Sequence, residues 1–180
     1  MCTGRIDPAH VFRAFSNGVD GVFIGGCRLN ECNYSTHGNY YAMNLVFLCQ
    51  KIMEHIGMYP GRLKIEFMSS GEGQLFAQLV NEFVRKVKEL GPLGEGEGIT
   101  KDELNPKLQA VSKLVPYIKL VLNEKLRVNF EQVEEYEKFY SSEEFADLFQ
   151  ELIANKIPMF LNAGVGDNSE LLRSGSRRED

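Results

Sequence analysis

The sequence predicts an α/β protein in which part of a doubly wound parallel sheet is followed by a helical C-terminal extension. Two short strand-like segments, 21–26 and 62–68, alternate with helix-like segments in the first half of the chain. Residues 100–156 show helical periodicity and no convincing strand. The 180 residues of the chain are enough for one domain that carries such an extension.

The first helix and the first strand are indicated by local signals. Asp7 followed by Pro8 is typical of a helix start, and the helix should end near residue 17. Residues 21–26 are short, continuously apolar and rich in strand-forming residues, which is typical of a strand buried on both faces of a parallel sheet. A helix with an apolar stripe is predicted next, over residues 39–56.

The second strand alternates strictly, which predicts one buried and one exposed face. Its two faces would be formed by Leu63, Ile65 and Phe67 on the core side and by Arg62, Lys64 and Glu66 on the solvent side. Ser69 and Glu72 then form a capping-box pattern before a helix that runs to about residue 90. The helix should bury Leu75, Leu79, Phe83 and Val87.

The chain is therefore divided into an α/β domain over 1–93, a glycine-rich linker over 94–99, a helical extension over 100–163 and a flexible tail over 164–180. The order of elements indicates an incomplete flavodoxin- or Rossmann-like sheet. Either Thr100 with Glu103 or Asn105 with Pro106 would start the first helix of the extension, and Pro116 should break or kink it. We expect the extension to dock on a partner protein; packing back onto the α/β half is the alternative.

Composition and charge exclude several classes of protein. The net charge of −5 and the pI of about 5.3 argue against nucleic-acid binding, which normally requires a basic surface. No apolar run approaches the roughly 20 residues of a membrane span, and the N-terminal residues have no apolar signal core. We therefore expect a cytoplasmic protein.

Cysteines mark the end of the first strand. Cys27 follows that strand directly and Cys32 lies in the next loop, so both thiols can converge beyond the carboxyl edge of the sheet, where ligands bind in such folds. Cys2 would occupy the equivalent place after a neighbouring strand, whereas Cys49 lies on the apolar stripe of its helix. The spacing leaves free thiols, a disulfide, a zinc site and an iron–sulfur site open.

An ordered series of short motifs carries a resemblance to a known family. The motifs are MCTGRIDP, GVDGVFIGGCRLNECNY, HGNYYA, RLKIEFMSSGEG and VNEFVRKVKELGPLG. Over roughly residues 1–94 they resemble the delta subunits of methyl-viologen-reducing hydrogenases, which are iron–sulfur electron-transfer subunits. The resemblance implies a 2Fe–2S cluster with Cys2, Cys27 and Cys32 as ligands, in a non-catalytic subunit of an oxidoreductase complex of anaerobic metabolism.

The resemblance also implies partners. They would be a hydrogenase, formate dehydrogenase or other dehydrogenase module, together with a heterodisulfide-reductase-like flavoprotein subunit. The family normally has a further strand and helix upstream, and that part should bring the fourth ligand, which is not identified in this chain. Arg28 and Asn33 stand where the family often has histidine. Arg28 would either raise the potential of the cluster or pair with Glu31.

Two alternatives remain open. One is a scaffold protein with structural zinc, for which His37 could serve as a ligand. The other is a thiol–disulfide redox protein that uses Cys27 and Cys32.

A sheet of only two parallel strands is marginally stable. We therefore expect the chain expressed alone to be insoluble, molten or colourless, and an added upstream segment to restore solubility and colour.

Overall fold

The computed structural model describes residues 2–34, 38–128, 130 and 132–162. His37 and the predicted tail over 164–180 lie outside these residues. The elements in chain order are a 3-10 turn at Thr3–Arg5, α1 at Pro8–Ser16, β1 at Val22–Gly26, α2 at Gly38–Ile56, a 3-10 turn at Pro60–Arg62, β2 at Leu63–Phe67, α3 at Gly73–Leu90, α4 at Lys101–Glu124, α5 at Val133–Tyr140, α6 at Glu143–Leu152, a 3-10 turn at Ala154–Lys156 and α7 at Ile157–Asn162.

The sheet confirms the predicted α/β class. Strands β1 and β2 run parallel, in a register that pairs Val22 with Leu63 and Gly26 with Phe67, and α2 lies between them in the chain. Within the described residues the sheet has these two strands, so one edge of β1 has no strand beside it. At that edge the Thr3 hydroxyl donates to the Gly25 carbonyl at 2.9 Å. The turn at Thr3–Arg5 is thereby tied to the end of β1, which matters for the position of Cys2.

Helices α1 and α2 start and pack largely as predicted. The Asp7 carboxylate accepts from the Ala9 amide at 2.9 Å, and Pro8 occupies the first turn of α1. Helix α2 begins one residue earlier than predicted, at Gly38, and buries most of its side chains. Cys49 is fully buried on it, which confirms its prediction as a core thiol. Burial raises the pKa of the Cys49 thiol, because the thiolate would lose its hydration.

Helix α3 is more exposed than the sequence predicted. Phe83 is buried, whereas Leu75, Leu79 and Val87 are not. The predicted capping box is half formed: the Glu72 carboxylate accepts from the Ser69 amide at 2.7 Å, but the Ser69 hydroxyl bonds to another residue. The helix therefore begins at Gly73, with Glu72 at its N-cap.

Arg62 contradicts its predicted place on the solvent side of the second strand. It lies in the turn just before β2 and is fully buried, with its guanidinium bonded to the Glu97 carboxylate. The same guanidinium donates to the carbonyls of Asp20, Gly91 and Pro92 at 3.0, 2.9 and 3.2 Å. Burial of a charge is tolerated here because the guanidinium finds acceptors in several directions. Glu97, the partner of Arg62, belongs to the segment predicted as a linker, 94–99.

The helical extension packs back onto the α/β half, so the expectation that it docks on a partner is wrong for the described helices. Helix α4 lies against α1, and α5 lies against α2. The buried side chains of both halves form one hydrophobic cluster. Thr100 and Glu103 form the predicted capping box of α4, which rules out the alternative start at Asn105. The helix continues through Pro116 to Glu124, so of the predicted break or kink at Pro116 the break does not occur.

Two tyrosines of α5 are bonded to α2. The Tyr140 hydroxyl donates to Asn44 Oδ1 at 2.6 Å, and the Asn44 amide donates to the Leu126 carbonyl at 2.7 Å. The Tyr136 hydroxyl donates to the Tyr40 carbonyl at 3.4 Å and accepts from the Phe130 amide at 3.3 Å. These bonds make the extension part of the same core as the sheet and its helices.

Alkaline conditions should weaken this contact. Burial raises the pKa of Tyr136 from 10.0 to about 12, so its contribution to stability is fully present below about pH 10 and is lost as the pH rises through 12. The difference corresponds to about 3 kcal/mol of unfolding free energy. Denaturant unfolding at pH 9 and at pH 11.5 gives the free energy of unfolding at each pH. Between the two pH values this free energy should decrease less for Tyr136→Phe than for the unaltered chain. An equal decrease in both proteins would contradict the role of Tyr136 in the alkaline loss of stability.

None of the helices in the described part of the chain combines the length and the apolar character that crossing a membrane requires.

Candidate functional site

Two of the three predicted site cysteines lie in contact. Cys2 precedes the 3-10 turn at Thr3–Arg5, and Cys32 lies in the loop that follows β1. Their Sγ atoms are 3.5 Å apart although the residues are separated by 30 positions. Cys32 is buried, with 8% of its surface exposed, and Cys2 is partly buried. The fold therefore brings together two thiols that the sequence places at separate strand ends.

Two glycines make this contact possible. A Cβ atom on Gly38 would lie 2.6 Å from the Cys32 sulfur and 2.8 Å from the Cys2 sulfur, both too close for any real contact. A Cβ atom on Gly4 would lie 2.5 Å from the Gly38 carbonyl oxygen. The turn that carries Cys2 thus packs directly on the first residue of α2. Sequence reasoning missed Gly38, because its position alone does not distinguish it from Gly73, which also begins a helix but has nothing within 4 Å of an added Cβ.

The environment of Cys2 favours its protonated form in the absence of a metal. Burial raises the pKa of the Cys2 thiol, the Gly4 amide at 3.3 Å from its sulfur lowers it, and the Cys32 and Cys27 thiols raise it further. The Gly4 amide is thus a backbone hydrogen-bond donor to a cysteine sulfur, an interaction that tunes a metal-binding thiolate. A metal ion that binds here must displace protons from closely spaced thiols.

Cys27 is separate from this pair. It directly follows β1 and is exposed. In the part of the chain that the structure describes, no three or more His, Cys, Asp or Glu side chains are grouped so as to hold a metal ion. The three cysteines therefore lie in one region but form a pair and a third thiol, not a closed set of ligands.

Asn39 holds the backbone next to Cys27. Its side-chain amide donates to the carbonyls of Cys27 and Arg28, the latter at 2.9 Å. Asn39 is 1% exposed, and its Oδ1 atom has no hydrogen-bond partner among the described residues. A buried amide in this position fixes where the chain leaves β1, and hence where the Cys27 side chain starts.

The rest of the cysteine loop is anchored by side chains from neighbouring elements. Arg28 forms a two-bond ion pair with Glu72, in place of the predicted pairing with Glu31. Glu31 instead accepts from the Ser69 hydroxyl at 2.8 Å. The Tyr40 hydroxyl donates to the Asn30 side chain at 2.6 Å. These anchors connect residues 28–31 to α2 and to the segment before α3.

Comparison with known proteins places this arrangement in a family. The family model for the delta subunit of methyl-viologen-reducing hydrogenase matches residues 1–91, half of the chain. The chain belongs to this family. The match includes Cys2, Cys27 and Cys32 and ends before α4, so the helical extension lies outside the part that defines the delta subunit family.

Curated relatives fall into two kinds. An iron-sulfur subunit of F420-non-reducing hydrogenase from Archaeoglobus profundus is 40% identical over 91 residues, which cover 51% of this chain and 66% of the relative. The corresponding protein from Methanopyrus kandleri is 39% identical over 92 residues, covering 51% of this chain and 69% of that relative. One subunit of the ferredoxin/F420H2-dependent CoB-CoM heterodisulfide reductase from Methanosarcina acetivorans is 39% identical over 94 residues, covering 52% of this chain and 12% of the relative.

The matched segment makes up a different share of the two kinds of relative. The chain spans about two thirds of the hydrogenase iron-sulfur subunits and about an eighth of the heterodisulfide reductase subunit that it matches. The same delta-type segment therefore occurs both in short subunits and as a small part of a much longer chain.

Proposed function

We propose that this chain is a non-catalytic electron-transfer subunit that carries electrons through a 2Fe–2S cluster bound by Cys2, Cys27 and Cys32. The observation that carries the proposal is the contact between the Cys2 and Cys32 sulfurs at 3.5 Å. Thiolates are the usual ligands of iron–sulfur clusters, and a 2Fe–2S cluster normally takes four of them. A fourth ligand is not identified in this chain.

The sulfur separation fits metal ligation better than a disulfide. Two thiolates at about 2.3 Å from one tetrahedral metal ion lie about 3.8 Å apart, whereas the sulfurs of a disulfide lie about 2.05 Å apart. The observed 3.5 Å is close to the first value. Cys2 and Cys32 would thus hold the metal together, and Cys27 would supply a further thiolate. Zinc would suit the same pair, so metal identity must be measured.

Residues around the thiols would tune a bound cluster. The cluster supplies one-electron chemistry when bound. The Gly4 amide donates to Cys2 Sγ, and a hydrogen bond to a ligand sulfur stabilises the added negative charge of the reduced form. Asn39 fixes the backbone of Cys27, and burial of Cys32 limits access of water. These groups hold the ligands in place before and after an electron is transferred.

The proposed relay runs between a hydrogenase, formate dehydrogenase or other dehydrogenase module and a heterodisulfide-reductase-like flavoprotein subunit. Its support is the occurrence of the same segment in proteins named as iron-sulfur subunits of a hydrogenase and in one named as part of a heterodisulfide reductase. A segment that is a separate protein in one relative and an internal part of another is suited to connect the two kinds of module.

Serine substitutions in the purified complex test the ligands. Cys2→Ser, Cys27→Ser and Cys32→Ser should each decrease iron, acid-labile sulfide and visible absorption, because serine is a poor ligand for cluster iron. Cys49→Ser is the matched control and should leave all three unchanged, since Cys49 is a buried core thiol. Full iron content in Cys27→Ser would contradict the ligand assignment. A colourless protein with bound zinc would establish the scaffold alternative.

A thiol–disulfide function is the second candidate, and the geometry changes the pair that it would use. Cys2 with Cys32, rather than Cys27 with Cys32, has sulfurs in contact. Mass spectrometry after alkylation of the metal-free chain should then show a Cys2–Cys32 disulfide that forms and is reduced reversibly. Such a cycle in a complex without iron would favour this candidate over the cluster.

A further inference from the structure

Helix α3 has an apolar face that the rest of the described chain leaves largely uncovered. Of the 18 residues of α3, all of them described, only Phe83 is buried, and its ring lies 5.6 Å from that of Phe23 in β1. Phe76 and Val84 are 49% and 42% exposed. Most of the stability of a protein helix comes from the packing of its apolar face. We therefore expect this face of α3 to be covered by another molecule.

Small and apolar residues that are exposed or half-buried follow a regular spacing along α3. They recur at alternating intervals of four and three positions, which is the spacing of a seam along which two helices pack. The residues of this apolar seam are Gly73, Ala77, Val80, Val84 and Val87. A Cβ atom on Gly73 would meet nothing within 4 Å, so the N-terminal end of the seam is open. The seam thus has the form of a docking surface for a second helix.

The apolar seam lies on the side of the molecule where β1 has its free edge. The Val87 side chain is at the start of β1, because a Cβ atom on Gly21 would lie 2.7 Å from it. On the other flank of α3, the Lys86 ammonium lies over the ring of Tyr59, which comes before β2. Within the described residues β1 is paired with β2 alone. The seam and the unpaired edge of β1 therefore face the same way.

The size of the seam residues changes along α3, and this change favours an antiparallel partner. The seam begins with Gly73 and Ala77 and ends with Val84 and Val87. In an antiparallel pair of α3 helices, Gly73 of each copy lies opposite Val87 of the other. Ala77 likewise lies opposite Val84, and the two Val80 side chains meet at the two-fold axis. Each small residue then receives a larger one, whereas a parallel pair would leave gaps at its N-terminal end.

The charges of α3 favour the same direction. Residues 73–81 contain no charged side chain, whereas residues 82–90 contain two carboxylates and three cations. Two of the cations, Arg85 and Lys88, form no ion pair with any described residue. A parallel pair would place these like charges side by side. An antiparallel pair keeps the charged halves of the two copies apart and also opposes the two helix dipoles.

We propose that two copies of this chain associate through an antiparallel pair of α3 helices, with Val80 at the two-fold axis. The inference goes beyond the proposed electron relay and does not depend on a cluster, since the seam contains no cysteine. Each copy uses the same residues, so the contact closes on itself and forms a dimer. One helix pair makes a small interface, and the association should therefore depend on protein concentration.

A cysteine on the two-fold axis gives the direct test. Val80→Cys in the full chain, within its complex where it is retained, should form a disulfide between residue 80 of two copies under mild oxidation, because a side chain on the axis meets its own counterpart. The product should have twice the 20.4 kDa mass of the chain. When copies grown on light and on heavy nitrogen are mixed, mass spectrometry should find linked peptides that carry one label of each kind.

Gln78→Cys is the matched control, because Gln78 is an exposed residue of α3 two positions from Val80 and therefore on the opposite side of the helix. It should give only background cross-linking. Adding Val84→Lys to Val80→Cys should decrease the yield of the cross-link at least about tenfold, because a charge enters the seam. Three results would overturn the proposal: no link between two residues 80, an equal yield in the control, or a link from residue 80 to another position or another protein instead.

Discussion

Gly38→Ala should remove most of the iron from the complex while leaving the chain folded. The added Cβ would lie 2.6 Å from the Cys32 sulfur and 2.8 Å from the Cys2 sulfur, so both sulfurs would have to move. Gly38 begins α2, a helix that is buried along most of its length and cannot retreat. Forcing a methyl group into such a contact costs about 1–3 kcal/mol, and the movement separates the two proposed ligands.

The matched control is Gly73→Ala. Gly73 is also the first residue of a helix, and a Cβ atom there meets nothing within 4 Å. Neither glycine has a positive φ angle, so backbone strain affects neither substitution. Gly73→Ala should therefore keep its iron content and visible absorption, whereas Gly38→Ala should lose most of both. The steric contact with the sulfurs is then the cause of the difference. Full iron retention in Gly38→Ala would show that the Cys2–Cys32 contact is not part of the cluster site.

Arg62→Met should destabilise the fold by about 3–5 kcal/mol, because it leaves a buried carboxylate without its cation. The Glu97 side chain is only 5% exposed. Although burial acts to raise it, hydrogen bonds from Arg62 and from the Tyr59 and Gly94 amides hold the pKa of Glu97 below its usual value. Glu97 therefore stabilises the fold above the pKa of an unfolded glutamate, and this contribution is lost as the pH falls through its lower folded pKa.

A surface ion pair in the same strand region supplies the control. Lys64 and Glu66 are bonded at 2.9 Å, but the Lys64 side chain is half exposed. Lys64→Met should change the unfolding free energy by no more than about 1 kcal/mol. Denaturant unfolding of both variants at neutral pH gives the comparison. Arg62→Met together with Glu97→Gln should recover part of the loss, since the unpaired charge is removed. Equal stability of Arg62→Met and Lys64→Met would contradict the role given to Arg62.

Local signals predicted the elements well and the contacts between them less well. Asp7 with Pro8, and Thr100 with Glu103, mark helix starts through residues that are neighbours in the chain. Arg62 was misplaced because strand alternation cannot foresee an acceptor 35 positions away. The packing of α4 and α5 on α1 and α2 was only the alternative prediction for the same reason: an apolar stripe shows that a helix is buried but does not show against what.

The site shows the same limit. Motif resemblance selected Cys2, Cys27 and Cys32, but only the fold shows that Cys2 and Cys32 are in contact and that Cys27 is exposed. Gly38 and Asn39 emerged from the structure, because their roles depend on atoms of distant segments.

Cys2 and Cys32 are proposed to hold a cluster that accepts a single electron. Electron paramagnetic resonance of the dithionite-reduced complex can detect that electron, as a difference spectrum between the unaltered complex and the complex with Cys32→Ser. A reduced 2Fe–2S cluster contains one ferric and one ferrous ion and has an odd number of electrons, so the difference should contain its signal, broadened when the protein is grown on 57Fe. Identical spectra from the two complexes, with the same iron content, would show that Cys32 does not hold a cluster.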